Sequence, residues 1–258
     1  MPSSNNGIID HFNELSSTGR WSAAYAAVGA MNYHMPLRRL RVMELLPEQL
    51  GRVLDVGCGP GVFVEGLLRR GATYTGIDIS PQMIMEAQSK FARYKNVEFR
   101  LGTIESLRLA ANSYDHVIAV GLLEYLSDLG NELKAMFKVL RPGGTAVLTI
   151  PKRWHIDRLT GDLTAPARAI ARLFAQGTSD GIPRVRLQPN ELDQLSLQAG
   201  FRRVDGSLYY FTPFTYPLHR LAPKLCMKLN LPFNRWYKAR DPIRSFFAHG
   251  YIGYYRKM

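Results

Sequence analysis

Apolar residues recur along this chain at two different periods, and the change of period divides it. Over residues 8–48, Phe12, Leu15, Trp21, Tyr25 and Val28 return at helical spacing. Leu37, Leu40, Val42, Leu45 and Leu46 form a second apolar stripe, with Pro36 placed for its first turn. From Arg52 the pattern becomes strand, turn, helix, repeated. It predicts strands over 53–56, 73–78, 97–101, 114–120 and 145–150, and helices over 62–70, 80–94 and 129–140. Gly71 stops the first of these helices, Ser80 and Pro81 open the second, and Arg141-Pro142-Gly143-Gly144 ends the third. After Pro151 the regularity lapses. Residues 152–187 hold one amphipathic candidate at 165–176, with Ala167, Ile170, Ala171 and Phe174 on one side. A helix over 189–199, ended by Gly200, precedes paired sheet strands over 201–211 and an aromatic, basic tail from Pro217.

Short, nearly continuous apolar strands alternating with helices indicate a doubly wound α/β protein whose parallel sheet is covered on both faces. Five segments follow: an N-terminal helical cap (1–48), a core (49–151), an insertion that covers the substrate (152–188), the end of the core sheet (189–216) and a C-terminal extension serving as a lid (217–258). No internal repeat is visible.

Composition narrows the compartment and the partners. Hydrophobic residues make up 46% of the 258, enough for a buried core. The first ten residues lack a basic region followed by an apolar run, and nowhere do about 18 apolar residues run uninterrupted. Only Cys58 and Cys226 are present, too few for a disulfide framework or a cysteine-built metal site, so a reducing cytoplasm is expected. Thirty-three Lys and Arg against 21 Asp and Glu give a net charge of +12, which favours an anionic partner: nucleic acid, a phospholipid surface or an acidic substrate.

The most informative stretch is V-L-D-V-G-C-G-P-G at 53–61. Glycines at 57, 59 and 61 follow a buried strand and precede a helix, where doubly wound sheets bind nucleotides. A Cβ there would block close approach of a ligand to the backbone. The spacing is G-x-G-x-G; a dinucleotide fingerprint would need its third glycine at 62, where this chain has Val62, and the Gly-Lys-Ser/Thr of a phosphate loop is missing. Such a loop suits a nucleoside without a pyrophosphate, such as S-adenosylmethionine. Asp78 ends the second strand, where a carboxylate can accept hydrogen bonds from both hydroxyls of a ribose.

With these features the chain resembles the class I S-adenosylmethionine-dependent methyltransferases over 52–211. The glycine loop, the acidic strand end G-I-D-I-S and the turn L-R-P-G-G match in order and spacing. The resemblance implies a Rossmann-like, mostly parallel seven-stranded sheet and S-adenosylmethionine as cofactor. It implies cofactor contact from the loop (Gly57, Cys58, Gly59, Gly61), ribose binding by Asp78, and adenine beside Ile79. The methionine end would lie near Asp55 and Val120. Many relatives have Gly-Asp after the third strand; here Gly102 precedes Thr103, so the adenine contact would come from Thr103, the backbone around Ile104, or Glu105. Within the class the layout is similar to quinone-pathway O-methyltransferases. Pro36-Leu37-Arg38 stands where their Arg contributes to the cofactor site, Leu123-Glu124-Tyr125 stands at their Leu-Glu-His, and 189–201 matches their P-x-E-L…A-G-F helix. Arg38 also fits a second description, the solvated face of a helix shared with Arg39 and Arg41.

The sulfonium already makes the methyl electrophilic, so the protein mainly supplies alignment and desolvation. Tyr125 and His155 are the catalytic candidates, to orient or deprotonate an acceptor; each could equally form a wall or lie on the surface. No metal site is expected. The tail from Pro217 interleaves nine Lys or Arg with Leu and aromatic residues against one acid, Asp241. That composition suits an anionic membrane surface, and with it O-methylation of a small lipophilic acceptor at the cytoplasmic leaflet. It also suits a packed lid with a basic outer face. Two other functions stay open: methylation of RNA or other nucleic acid, and non-catalytic binding of S-adenosylmethionine. The segment 120–125 is not the Asn/Asp-Pro-Pro-aromatic motif of many base methylating enzymes.

Overall fold

The structure, a computed structural model, describes residues 3–19, 34–154, 184–211, 222–238 and 242–258. Among the described residues two helices precede the sheet, α1 (Ser3–Ser17) and α2 (His34–Leu45), with Pro36 in the first turn of α2 as the pattern predicts. Then β1 (Arg52–Val56), α3 (Val64–Leu68), β2 (Thr73–Asp78), α4 (Pro81–Phe91), β3 (Val97–Leu101), β4 (Tyr114–Ala119), α5 (Leu129–Val139) and β5 (Leu140–Pro151) follow in turn. The Ser-Pro start of α4 is real: Ser80 Oγ accepts the Met83 amide at 3.2 Å, satisfying one of the orphan donors of the first turn. The chain continues through α6 (Pro189–Gln198), β6 (Phe201–Phe211), α7 (Pro223–Asn230), a 3₁₀ stretch (Leu231–Lys238), α8 (Pro242–Phe246) and β7 (Ala248–Lys257).

These strands form one seven-stranded sheet in the order β3-β2-β1-β4-β5-β7-β6, parallel except that β7 runs against both neighbours. From β1 the chain moves outward to β2 and β3, then returns to the other side of β1 for β4 and β5. The carboxyl ends of β1 and β4 therefore flank the switch point, where an open crevice forms in such sheets.

Side chains alternate between the two faces, and both faces are dry. Leu54, Val56, Val117, Ala119, Ala146 and Leu148 enter one cluster beneath Leu133 and Met136 of α5 and Leu192 of α6. Val53, Ile118, Val120 and Val147 enter the other, under Val42 of α2, Val64 and Leu67 of α3, and Ile84 and Phe91 of α4. Each fully buried Val, Leu, Ile or Met side chain among these contributes about 1.5–3 kcal/mol. Burial on both sides is why these strands read as apolar runs rather than as alternating patterns.

Three expectations are corrected. Residues 201–211 are not paired strands but the single strand β6, whose partner is β7 near the chain's end. The segment 217–258, read as an extension outside the sheet, thus ends as a core strand wedged between β5 and β6. The turn read at 141–144 is instead the irregular start of β5, whose register against β4 shifts between Tyr114 and His116. Trp21, Tyr25, Val28, the helix expected at 165–176 and His155 lie outside the described residues. Among the described residues no helix is long and apolar enough to cross a membrane.

Candidate functional site

Where β1 ends, the chain must turn sharply over the end of β2. The amides of Gly57 and Cys58 both donate to the Ile77 carbonyl, at 2.8 and 3.0 Å. All three loop glycines adopt positive φ (71° at Gly57, 51° at Gly59, 76° at Gly61), a backbone region strained for residues with a Cβ. The Gly59 amide then donates to Asp78 Oδ2 and the Ser80 amide to Asp78 Oδ1, each at 2.9 Å. One carboxylate therefore ties the glycine loop to the start of α4. Burial pushes the Asp78 carboxyl above its ordinary value, while the amides of Ser80, Gly59 and Ile79 pull it back.

A cleft of about 300 Å³ opens at this rim. Gly57, Gly59, Asp78 and Ile79 form one wall, and Thr103 and Glu105 from the turn after β3 form another. Val120, Gly121, Leu122 and Tyr125 come from the segment after β4. Ile8 and Phe12 of α1 cover it. That helix is fastened to α4 by Asn13, whose Oδ1 accepts the Ser80 hydroxyl at 2.7 Å, and by Ser16, which donates to Glu86 at 2.7 Å. The ring of Phe12 meets Tyr125 edge-on with centroids 5.2 Å apart, and the Arg184 guanidinium lies 5.4 Å from the Tyr125 centroid.

The remaining residues expected at the site do not line the cleft. Asp55 points into the core, 1% exposed, where Oδ2 accepts the Tyr74 hydroxyl at 2.8 Å. Burial pushes its pKa up to about 7, against that hydrogen bond and with help from the Asp78 charge. Cys58 is buried, and burial pushes its thiol well above the usual range. Gly61 is tight for packing: a Cβ there would lie 2.8 Å from the Phe91 ring. Ile104 is part of the core; Thr103, which does line the cleft, already accepts the Ser106 amide through Oγ1 at 3.1 Å. Arg38 lies one backbone layer behind the cleft wall. Its Nη1 is 2.9 Å from where a Cβ of Gly121 would stand, and Gly121 itself has a φ of 74°. Beside it Glu124 is buried, its carboxyl raised by burial against the charges of Arg38, Arg184 and Arg186.

Sequence reasoning named an N-terminal cap without placing Ile8 and Phe12 over the cleft, and it missed the acidic wall at the start of α5. Asp128 caps α5 by accepting the Asn131 amide at 3.0 Å, and Asp128, Asn131 and Glu132 all face the cleft. Burial raises the Glu132 carboxyl, reinforced by the charges of Glu105 and Asp128. The S-D-L-G-N-E run offers Asp128 as a cap for the helix start, a local signal that says nothing of what the helix faces. Among the described residues no group of three His, Cys, Asp or Glu converges as metal ligands would.

The residues present suit S-adenosylmethionine. Asp78 keeps acceptor capacity for a ribose diol, the glycine loop leaves room against the backbone, and Ile79 and Met83 offer apolar surface to a base. Comparisons with known proteins agree. A family model described as a methyltransferase domain matches residues 54–148. The ubiquinone biosynthesis O-methyltransferase of Psychrobacter arcticus is 34% identical over 230 residues, covering 80% of this chain and 86% of that protein. Its counterpart in Hydrogenovibrio crunogenus is 26% identical over 88% of this chain and 92% of that one. Among solved structures, the 1,6-didemethyltoxoflavin-N1-methyltransferase of Burkholderia thailandensis, with S-adenosylhomocysteine bound, superposes with a TM-score of 0.61 at 16% identity, covering 100% of this chain and 92% of that chain. The methyltransferase solved with the Trm112 activator of Haloferax volcanii gives 0.64 at 17%, over 95% of this chain and 96% of that chain. Sheet order, glycine loop, strand-end carboxylate and sequence relationship thus converge, and the chain belongs to the class I S-adenosylmethionine-dependent methyltransferases.

Proposed function

We propose that the protein methylates an oxygen of a small lipophilic acceptor, working in the cytoplasm at the inner face of the membrane. The observation that carries this reading is the apolar share of the cleft's lining: Ile8, Phe12, Leu122 and Leu126 line it together with Tyr125, across from no more polar surface than the loop, Asp78 and the acidic wall supply. Such a lining favours an acceptor with hydrocarbon bulk and one polar group to orient. The names of the relatives, ubiquinone biosynthesis O-methyltransferases, support the same class.

Asp78, the glycine loop and the backbone behind Gly121 would hold S-adenosylmethionine, which when bound supplies a methyl group already activated on sulfur. The chain's own task is then to exclude water and align the acceptor. Phe12 and Leu126 exclude water, and the Tyr125 hydroxyl orients the acceptor oxygen.

Labelled S-adenosylmethionine incubated with cell extract, followed by separation into lipid, aqueous, RNA and protein fractions, tests the reading. Label is expected in the lipid fraction as an alkali-stable ether. Label in RNA would replace this reading with nucleic-acid methylation, and no transfer to any fraction would favour a cofactor-binding protein without turnover.

A further inference from the structure

The short helices that carry the chain from β6 back to β7 present a surface the methyl-transfer cleft does not use. Leu225 and Leu229, one turn apart on α7, are both exposed; Leu231 follows, and Ile243 on α8 is 76% exposed. The same stretches expose the cations Lys228, Arg235, Lys238 and Arg244. The described stretches 222–238 and 242–258 contain no Asp or Glu.

The surface is held as one body. The side-chain Nδ2 of Asn234 donates to the Asn230 carbonyl at 3.4 Å, joining the 3₁₀ stretch to α7. Arg244 lies 5.5 Å from the Trp236 centroid, joining α8 to the same stretch. Phe233, Trp236 and Phe247 turn inward and pack on the core, so these aromatic residues anchor the helices while the aliphatic and basic side chains face out.

Its position links it to the reaction. Pro151 at the end of β5 pairs with Gly250, and Phe211 at the end of β6 pairs with Ala248. Lys152 Nζ donates to the Ser245 carbonyl and, at 3.0 Å, to its hydroxyl, pinning α8 beside the end of β5. The helices therefore attach at the rim where the parallel strands end, the rim that also bears the cleft.

We propose that the outer face of α7, the 3₁₀ stretch and α8 docks on an anionic phospholipid bilayer and brings the cleft's rim to the leaflet that holds the acceptor. Cations are drawn to the headgroups while Leu225, Leu229 and Ile243 enter the interface, the division of labour of a membrane-surface element. Nucleic acid would match the charge but leave four aliphatic side chains without partners. The biological sense of this docking rests on the lipophilic-acceptor reading; its test does not, because no acceptor is present.

The full chain is floated with vesicles of phosphatidylcholine alone and of phosphatidylcholine with roughly one-third phosphatidylglycerol. Recovery is expected with the anionic vesicles only, and it weakens with salt. Each cation contributes about fivefold to partition, so Lys228→Glu with Arg235→Glu lowers it by roughly twentyfold or more. Leu225→Glu with Ile243→Glu lowers it comparably, and Leu225→Ser with Ile243→Ser serves if the acidic pair does not fold. Affinity for S-adenosylhomocysteine stays at the wild-type value in each. Equal recovery on neutral and anionic vesicles, recovery on neither, variants that float like wild type, or a dimer that these variants abolish would overturn the proposal.

Discussion

Asp78 is the residue whose removal discriminates best. Its two oxygens accept the amides of Gly59 and Ser80 at 2.9 Å, and a carboxylate has about four lone-pair positions, so about two remain for a ribose diol. Hydrogen bonds to a charged group contribute about 1.5–3 kcal/mol each. Asp78→Ala therefore costs roughly 3–6 kcal/mol of cofactor binding, or about a hundredfold to ten-thousandfold in Kd. Asp78→Asn keeps the shape but turns one acceptor into a donor that faces an amide, and should fall between the two. The free protein suffers less. It loses two anchoring bonds but is relieved of a desolvated carboxyl, a net of about 1–2 kcal/mol and roughly 2–8 °C in melting temperature. Calorimetric titration with S-adenosylhomocysteine, alongside melts of the free variants, measures both quantities. If Asp78→Ala binds within about threefold of wild type while remaining folded, the ribose does not rest on this carboxylate and the site assignment fails.

Other consequences follow from the same geometry. The folded pKa of Asp55, about 7, stands above its ordinary value of 3.8. Its contribution to stability is thus complete below about pH 4 and is lost as pH rises through 7; denaturant titrations should show Asp55→Asn gaining on wild type between pH 5 and 8, and parallel curves would refute this. Gly121→Ala sets a Cβ at positive φ against the Arg38 guanidinium, and should cost about 1–3 kcal/mol of stability and weaken cofactor binding; unchanged melting and affinity would mean Arg38 yields freely. Cys58 and Cys226 are buried and the Cys58 thiol is pushed up, so neither should react with iodoacetamide at pH 8 until denaturant is added. Prompt labelling of Cys58 in the folded protein would show that the loop opens.

What the sequence by itself determined was local. Five parallel strands, the Ser80 cap and the positive-φ loop are written in neighbouring residues, because apolar runs, caps and glycines act over a few positions. That locality also placed Asp78 beside the loop. The tertiary structure alone decided which residues look outward. Asp55 and Cys58 sit within the motif, yet strand alternation and the Tyr74 hydroxyl turn Asp55 to the core. The cleft's cover and acidic wall come from α1 and α5, whose approach depends on packing between segments far apart in the chain. The last strand shows the same limit. In A-H-G-Y-I-G-Y-Y-R-K the glycines argue against a strand, but Gly253 pairs with Gly206, and the rings of Tyr255 and Tyr251 occupy the space their side chains would need. Strand pairing joins residues some fifty positions apart, and no local pattern records it.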